Sequence, residues 1–208
     1  AHPVKFLRSN GLSLELNRME PLCDAILEIW QPGINGARSM AGILSGRINP
    51  SGKLAMTFPY STGQIPIYYN RRKSGRGHQG FYKDITSDPL YPFGHGLSYT
   101  EFKYGTVTPS VTKVKRGDRL SVEVTVTNVC ARDGAETVHL FISDPYCSIT
   151  RPVKELKHFE KQLIKAGETK TFRFDIDLER DFGFVNEDGK RFLETGEYNI
   201  HVLGQTVK

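Results

Sequence analysis

The feature that most constrains the fold is an alternation of apolar residues that begins near Arg119 and continues almost to the end of the chain. Apolar side chains stand at every second position in four separate runs. The runs are Val122, Val124 and Val126; Val138, Leu140 and Ile142; Phe172, Phe174 and Ile176; and Tyr198, Ile200 and Val202. A period of two puts alternate side chains on one face of an extended chain. The pattern therefore predicts half-buried strands and an all-β domain over residues 104–208.

Turn residues separate these runs at regular intervals. They stand at 116–118, 132–134, 166–168, 187–189 and 195–196. About seven short strands in about a hundred residues indicate an immunoglobulin-like sandwich. Because the sequence lacks the Cys…Trp…Cys set of antibody domains, we expect the fibronectin type III-like form. By the same period, we expect five phenylalanines to belong to its core. They are Phe172, Phe174, Phe182, Phe184 and Phe192.

Residues 1–60 have a different character, with α/β elements. Asn10-Gly11 stands between two apolar runs, which alone indicates a hairpin; a short strand that ends at a glycine bend is the alternative. The apolar run from Leu22 to Trp30 favours a buried strand, although its apolar residues also fit one face of a helix.

A helix is predicted after this run. Asn35 can cap it, apolar residues follow at helical spacing, and Gly46 is a natural stop. Two or three strands and one helix cannot cover both faces of a parallel sheet. We therefore expect residues 1–60 to be part of an α/β sandwich layer whose earlier strands lie upstream. The uncovered face would recruit either the missing half or a second copy of the chain as a homo-oligomer.

Residues 61–103 are predicted to form an irregular excursion and the junction between the domains. Loops of this length are often functional. Basic, aromatic and acidic side chains there could bind a sugar by hydrogen bonds and ring stacking; a solvated loop with turn-capping aspartates, including Asp88, is the alternative. The candidate substrate-binding residues are Arg72, Arg76, His78, Tyr82 and Asp84.

Other single residues favour a structural interpretation. His95 lies between two glycines and is expected to be a packed loop residue rather than a general base. Trp30 could be a sugar platform, but a Trp at a strand end usually packs in a core. The three cysteines, Cys23, Cys130 and Cys147, have no metal-like spacing, and they are either idle thiols or include a Cys130–Cys147 bridge.

The charge pattern bears on partners. The net charge is +5, yet the basic residues cluster only between Arg71 and His78, without a recognisable nucleic-acid motif. We therefore expect no nucleic-acid partner. No apolar run is long enough to cross a bilayer, so no membrane span is expected either.

Five motifs follow one another along the chain: Trp30-Gln-Pro-Gly33; Asn49-Pro-Ser-Gly-Lys-Leu-Ala-Met-Thr-Phe-Pro59; Tyr91-Pro-Phe-Gly-His-Gly-Leu-Ser-Tyr-Thr-Glu-Phe102; Arg151-Pro-Val-Lys-Glu-Leu-Lys-His-Phe159; and Gly167-Glu-Thr169. In this order they closely resemble the C-terminal portion of glycoside hydrolase family 3. The resemblance implies a retaining β-glucosidase or β-xylosidase in which a (β/α)8-type domain precedes an α/β sandwich and a fibronectin type III-like domain.

The resemblance also implies where the chemistry lies. The family's nucleophilic Asp and acid/base Glu belong to earlier parts of the polypeptide, and no carboxylate of this sequence matches either role. We therefore expect this part to be noncatalytic and to bind no cofactor. Its expected partner is the missing catalytic part of the same polypeptide, and its expected location is secreted or periplasmic. The motif that begins at Arg151 would dock or support the fibronectin-like domain. The alternative is a free-standing module that binds carbohydrate or protein.

Overall fold

The computed structural model describes residues 2–72 and 85–208. The chain divides into two compact units, one formed by Ala1–Tyr69 with Ser74–Leu97 and the other by Asn70–Lys73 with Ser98–Lys208. The boundaries that the sequence predicts at residues 60 and 103 stay a prediction. The predicted fold class, a partial α/β layer followed by an all-β sandwich, is confirmed.

The first unit contains a parallel pair of short strands, β1 (Lys5–Arg8) and β2 (Ala25–Glu28). The hairpin interpretation of Asn10-Gly11 is therefore wrong, and the alternative of a short strand that ends at a bend is correct. The reason lies in the side chain of Asn10. It donates to Glu28 Oε2 at 3.1 Å and accepts from the backbone N–H of Leu12 at 3.2 Å, so the bend ties the end of β1 to the end of β2.

The predicted helix is confirmed as α1 (Gly36–Leu44). Asn35 occupies the N-cap position, but its side chain makes no capping hydrogen bond. Gly46 follows the helix with a φ of 76°, a conformation that favours glycine. Short 3₁₀ turns stand at Glu20–Leu22 and Thr62–Gln64.

Two of the resemblance motifs lie side by side in the first unit. Backbone hydrogen bonds join Leu54 to His95 and Gly94, and Phe58 to Tyr91, at 2.7–2.8 Å. Lys53 Nζ donates to the carbonyl of Gly96 at 2.8 Å. A Cβ on Gly96 would stand 2.2 Å from the carbonyl oxygen of Gly52, so only glycine fits there. The density of aromatic and glycine residues in this stretch thus serves close backbone packing.

The second unit is a β-sandwich of two four-stranded sheets. Its strands are β3 (Phe102–Tyr104), β4 (Thr108–Pro109), β5 (Leu120–Asn128), β6 (Gly134–Ser143), β7 (Glu155–Ile164), β8 (Thr169–Ile176), β9 (Phe184–Val185), β10 (Arg191–Phe192), β11 (Asn199–Val202) and β12 (Gln205–Val207). One sheet has the order β12-β11-β6-β7; in the other, β5 pairs with β3, β4 and β8. The strands β9 and β10 form a separate antiparallel pair.

The core between the sheets confirms the alternation predicted from the sequence. The alternating apolar side chains at the centre of β5, β6 and β8 are buried. They are Val122, Val124, Val126, Val138, Leu140, Ile142, Phe172, Phe174 and Ile176. Phe172, Phe174 and Phe182 are also buried, as expected. Phe192 is not, because it is 49% exposed on the short β9–β10 pair, where it packs edge-on against half-buried Phe184 at 5.8 Å between ring centroids. Its assignment to the core is wrong.

All three cysteines are free thiols. A Cys130–Cys147 bridge is therefore not formed, and the alternative of separate thiols holds. Within residues 2–72 and 85–208, the structure shows no helix of the length and apolarity needed to cross a membrane.

A buried carboxylate fixes the turn that follows β8. Asp181 lies in the single π-helical turn Leu178–Phe182, and its side chain is 3% exposed. It accepts from Arg180 Nε at 2.8 Å and from the backbone N–H of Asp177 at 3.0 Å, and His158 Nε2 lies 2.8 Å away. Burial alone would raise the pKa of Asp181, but the hydrogen bonds from Arg180, His158 and Asp177 outweigh it and hold this pKa below its ordinary value.

Replacing this carboxylate is expected to destabilise the sandwich. D181N should lower the free energy of unfolding at pH 7 by about 2 kcal/mol, because it removes a buried anionic acceptor that binds Arg180, His158 and the Asp177 N–H. The native carboxylate's contribution is present above the unfolded-state pKa and is lost as pH falls through the depressed folded-state pKa. Acid-induced loss of stability below about pH 4 should therefore be shallower in D181N. Denaturant unfolding across pH measures both effects.

A matched control is D175N, because the side chain of Asp175 is 81% exposed and pairs with Arg173 at 3.2 Å. An exposed pair is worth about 0–1 kcal/mol, so D175N should change little. Equal losses in the two variants would contradict a special role for Asp181.

Candidate functional site

Of the candidate substrate-binding residues, the structure describes Arg72. Its side chain is exposed, and its backbone forms an isolated antiparallel bridge with Pro152. Arg76, His78, Tyr82 and Asp84 lie outside the described residues. The sugar-binding role of these residues stays a prediction. Asp88 is exposed, and its backbone N–H donates to Thr86 Oγ1 at 3.1 Å, as in a polar turn.

A second backbone contact holds the same segment. The N–H of Val153 donates to the carbonyl of Arg71 at 2.8 Å. Pro152 and Val153 directly follow Arg151 in the loop that joins β6 to β7. The segment Arg71–Arg72 is therefore attached to the backbone of this loop.

The loop is itself fixed by the guanidinium of Arg151. This side chain is 4% exposed, and its Nη1 donates to the carbonyl of Phe182 at 2.6 Å. Nη1 also lies 3.4 Å from Asp144 Oδ2, and Nη2 lies 3.5 Å from Glu155 Oε2. Asp144 follows β6 and Glu155 begins β7, so one cation binds both ends of the loop.

Aromatic packing completes this environment. The guanidinium carbon of Arg151 lies 5.7 Å from the ring centroid of Phe184, a cation–π arrangement. The ring of Phe182, whose carbonyl accepts from Arg151, packs on Tyr198 at 4.6 Å. Burial, with the charge of Asp144, raises the pKa of Tyr198 to about 12, so its hydroxyl stays protonated and donates to the carbonyl of Glu194 at 2.8 Å.

Three side chains of metal-ligand type stand beside Arg151. Potential ligand atoms of Asp144, Cys147 and Glu194 lie within 4.8 Å of one another. Asp144 is already paired with Arg151, and Glu194 accepts from the N–H of Ser148 at 3.0 Å. Burial raises the pKa of the Cys147 thiol, whereas hydrogen bonds from Ser148 lower the pKa of Glu194. Both carboxylates of this group therefore already bind other groups of the chain.

His95 and Trp30 have the packed positions that the sequence favoured. His95 stacks on Tyr91 with ring centroids 4.9 Å apart, and burial, with the charge of Lys53, lowers its pKa. Trp30 packs against Phe58 at 5.9 Å. Its backbone has a φ of 49°, and its N–H donates to Glu28 Oε1 at 3.1 Å.

Sequence reasoning missed the two contacts that matter most at this site. It assigned the Arg151 motif to docking or support without naming partners; the described partners of Arg151 are Asp144, Glu155 and Phe182 within the sandwich, and the docking role stays a prediction. It also missed the attachment of Arg71–Arg72 to Pro152–Val153, because no local pattern connects segments that far apart in the chain. The one available signal was an Arg-Pro pair with acidic residues on both sides.

The cluster predicts the reactivity of Cys147. Burial is the main cause of its raised pKa, and the nearby Glu194 adds to it. E194Q should lower this pKa, increase the thiolate fraction at pH 8 and accelerate alkylation of Cys147 by iodoacetamide. The rate can be measured by mass spectrometry of the Cys147 peptide. E197Q, whose carboxylate pairs with Lys208 at 2.8 Å, is the control; equal rates in the two variants would contradict the prediction.

Comparison with protein-family models identifies both units. Residues 3–99 match the glycosyl hydrolase family 3 C-terminal domain, and residues 136–206 match the fibronectin type III-like domain. The two matches follow each other without overlap, and the second begins inside β6.

Relatives and solved structures agree with these matches. The chain is 40% identical to a periplasmic beta-glucosidase of Salmonella typhimurium and covers 27% of it, with 96% of this chain aligned. It is 37% identical to a beta-xylosidase of Formosa agariphila and covers 28% of that protein, again with 96% of this chain aligned. A crystal structure of beta-glucosidase from Listeria innocua in complex with isofagomine superposes with a TM-score of 0.90 at 42% identity, covering 96% of this chain and 29% of that one. The chain thus spans somewhat more than a quarter of the length of these relatives.

Proposed function

Because this chain belongs to the C-terminal portion of glycoside hydrolase family 3, we propose that it is the noncatalytic, supporting part of a β-glycosidase of β-glucosidase or β-xylosidase type. The observation that carries this proposal is the ordered match of two family domains along one chain. The names of the relatives favour a parent enzyme that hydrolyses O-glycosidic bonds in carbohydrates. The periplasmic relative favours a periplasmic or extracellular location.

The described carboxylates support the noncatalytic assignment. A retaining glycosidase needs two carboxyl groups about 5–5.5 Å apart, one as nucleophile and one as acid/base. The buried acidic residues of the sandwich have other tasks. Asp144 pairs with Arg151, Asp181 binds Arg180 and His158, and Glu136 accepts from the hydroxyl of Tyr104 at 2.8 Å. We therefore assign the catalytic carboxylates to the rest of the polypeptide.

The surface of the α/β unit supports a partner. Val4 is 50% exposed and Leu22 is 66% exposed, beside a two-stranded parallel sheet. Parallel sheets are normally covered on both faces. We propose that the catalytic domains of the same polypeptide cover this surface, in preference to a second copy of the chain.

The complete enzyme provides the test of this assignment. With an aryl β-glucoside or β-xyloside, hydrolysis should release the β-anomer first, as proton NMR can follow. A 2-deoxy-2-fluoro glycoside that traps the covalent intermediate should label a carboxylate in a peptide outside these 208 residues. A label on a residue of this chain, or release of the α-anomer, would overturn the proposal. A protein that binds polysaccharide without cleaving either substrate would favour the free-standing binding module.

We further propose that the segment that begins at Arg72 contacts the substrate. Arg72 is exposed beside Pro152, and a guanidinium can donate several hydrogen bonds to sugar hydroxyls. Arg76, His78, Tyr82 and Asp84 follow it in sequence and supply further hydrogen-bonding and stacking groups.

Substituting Arg72 in the complete enzyme should weaken substrate binding. R72A is expected to raise KM about tenfold with little change in kcat, because it removes a charged hydrogen-bond donor worth about 1.5 kcal/mol. R116A is the control, since Arg116 is an exposed arginine that pairs with Glu179 at 3.1 Å. Unchanged KM in R72A, or an equal rise in R116A, would contradict the substrate contact.

A further inference from the structure

We infer that Arg151 is a positioning residue for Arg71–Arg72, acting through the backbone of Pro152 and Val153. The inference rests on the proposed function, because it concerns Arg72, which is assigned there to substrate binding. It assigns to the sandwich a task that reaches beyond its own stability.

The first step is the attachment itself. Two backbone contacts attach Arg71–Arg72 to the β6–β7 loop. The Val153 N–H donates to the carbonyl of Arg71 at 2.8 Å, and Arg72 forms a β-bridge with Pro152. Pro152 has no N–H to donate and a ring that restricts its φ. The position of Arg151 is therefore transmitted to Val153 through a stiff linkage.

The second step is the fixation of Arg151. Its guanidinium contacts groups in three directions: the Phe182 carbonyl, Asp144 and Glu155. The side chain of Asp144 is 2% exposed, so it cannot turn to solvent if the cation is lost. A lysine in place of Arg151 keeps the charge but lacks the planar fork that bonds several partners at fixed angles. R151K should therefore loosen the loop between β6 and β7 while leaving a cation there.

The third step is the effect on binding. A looser Pro152–Val153 backbone would no longer hold Arg72 in one place. The substrate contact would then be lost from the bound ground state and the transition state alike, which raises KM and spares kcat. Complete loss of the Arg72 contact is expected to raise KM about tenfold, so the rise in KM for R151K should be at most roughly tenfold.

The experiment uses the complete enzyme and two readouts. Hydrogen–deuterium exchange, followed by mass spectrometry of peptides that contain Val153, reports the hydrogen bond to Arg71 directly. The Val153 amide should exchange at least about tenfold faster in R151K, because the loosened Val153 backbone opens its hydrogen bond to the Arg71 carbonyl more often. Steady-state kinetics with the aryl glycoside should show the rise in KM. The double variant R72A/R151K should have the same KM as R72A, because the two residues act in one chain of contacts.

Y104F is the matched control for general destabilisation, because it removes the hydrogen bond from the Tyr104 hydroxyl to Glu136 at 2.8 Å, near the start of β6, whereas Asp144 follows the end of that strand. It should lower the melting temperature but leave Val153 exchange and KM unchanged. Unchanged exchange at Val153 in R151K, or the same acceleration in Y104F, overturns the inference. So does a KM effect of R151K that adds in full to that of R72A.

Two further outcomes are separable. If R72A leaves KM unchanged, the proposed substrate contact fails, and the exchange of Val153 alone decides whether Arg151 positions the segment. If R151K does not fold, D144N removes one partner of Arg151 while keeping the size of the side chain. D144N should then accelerate exchange at Val153, and its failure to do so overturns the inference.

Discussion

A buried guanidinium is the constraint on which the end of the sandwich depends. Desolvating the charge of Arg151 costs several kcal/mol unless other groups replace the lost water. Asp144, Glu155 and the carbonyl of Phe182 do so, and they come from the end of β6, the start of β7 and the turn after β8. Satisfying one cation therefore fixes three segments of chain relative to one another. The neighbouring Cys147 and Glu194 add hydrogen bonds to the same arrangement.

The strands of the sandwich could be predicted from the sequence because their physics is local. Each residue in β5, β6 and β8 faces either the core or solvent, and the alternation of side chains records this choice directly. The same rule failed for Phe192. The two-residue strand β10 pairs with β9 and not with a strand of either large sheet. The ring of Phe192 therefore has no opposing sheet against which it could be buried, and a period of two does not reveal this.

Long-range pairing was the part that the sequence did not reveal. Asn10-Gly11 has the composition of a hairpin turn, but β1 gains its partner from β2, in parallel, after an intervening 3₁₀ turn. Asn10 then uses its amide on Glu28 rather than in a tight turn. The candidate site shows the same limit. The attachment of Arg71 to Val153 depends on how the chain folds over a long distance, which local residue types do not show. Residue types and spacing did reveal the resemblance to a family, and that resemblance led to the expectation that the catalytic residues lie elsewhere in the polypeptide.

The α/β unit also contains a part-buried arginine, but with fewer partners than Arg151. Arg8 ends β1 with its side chain 10% exposed, and its Nε lies 3.9 Å from Glu28 Oε2, an ion pair too long for a good hydrogen bond. Its Nη1 is buried with no hydrogen-bond partner among the described residues, and an unsatisfied buried donor costs about 1–3 kcal/mol. Because that atom has almost no accessible surface, a covering domain could not relieve this cost, so the argument for a covering partner depends on the exposed apolar side chains of Val4 and Leu22 instead.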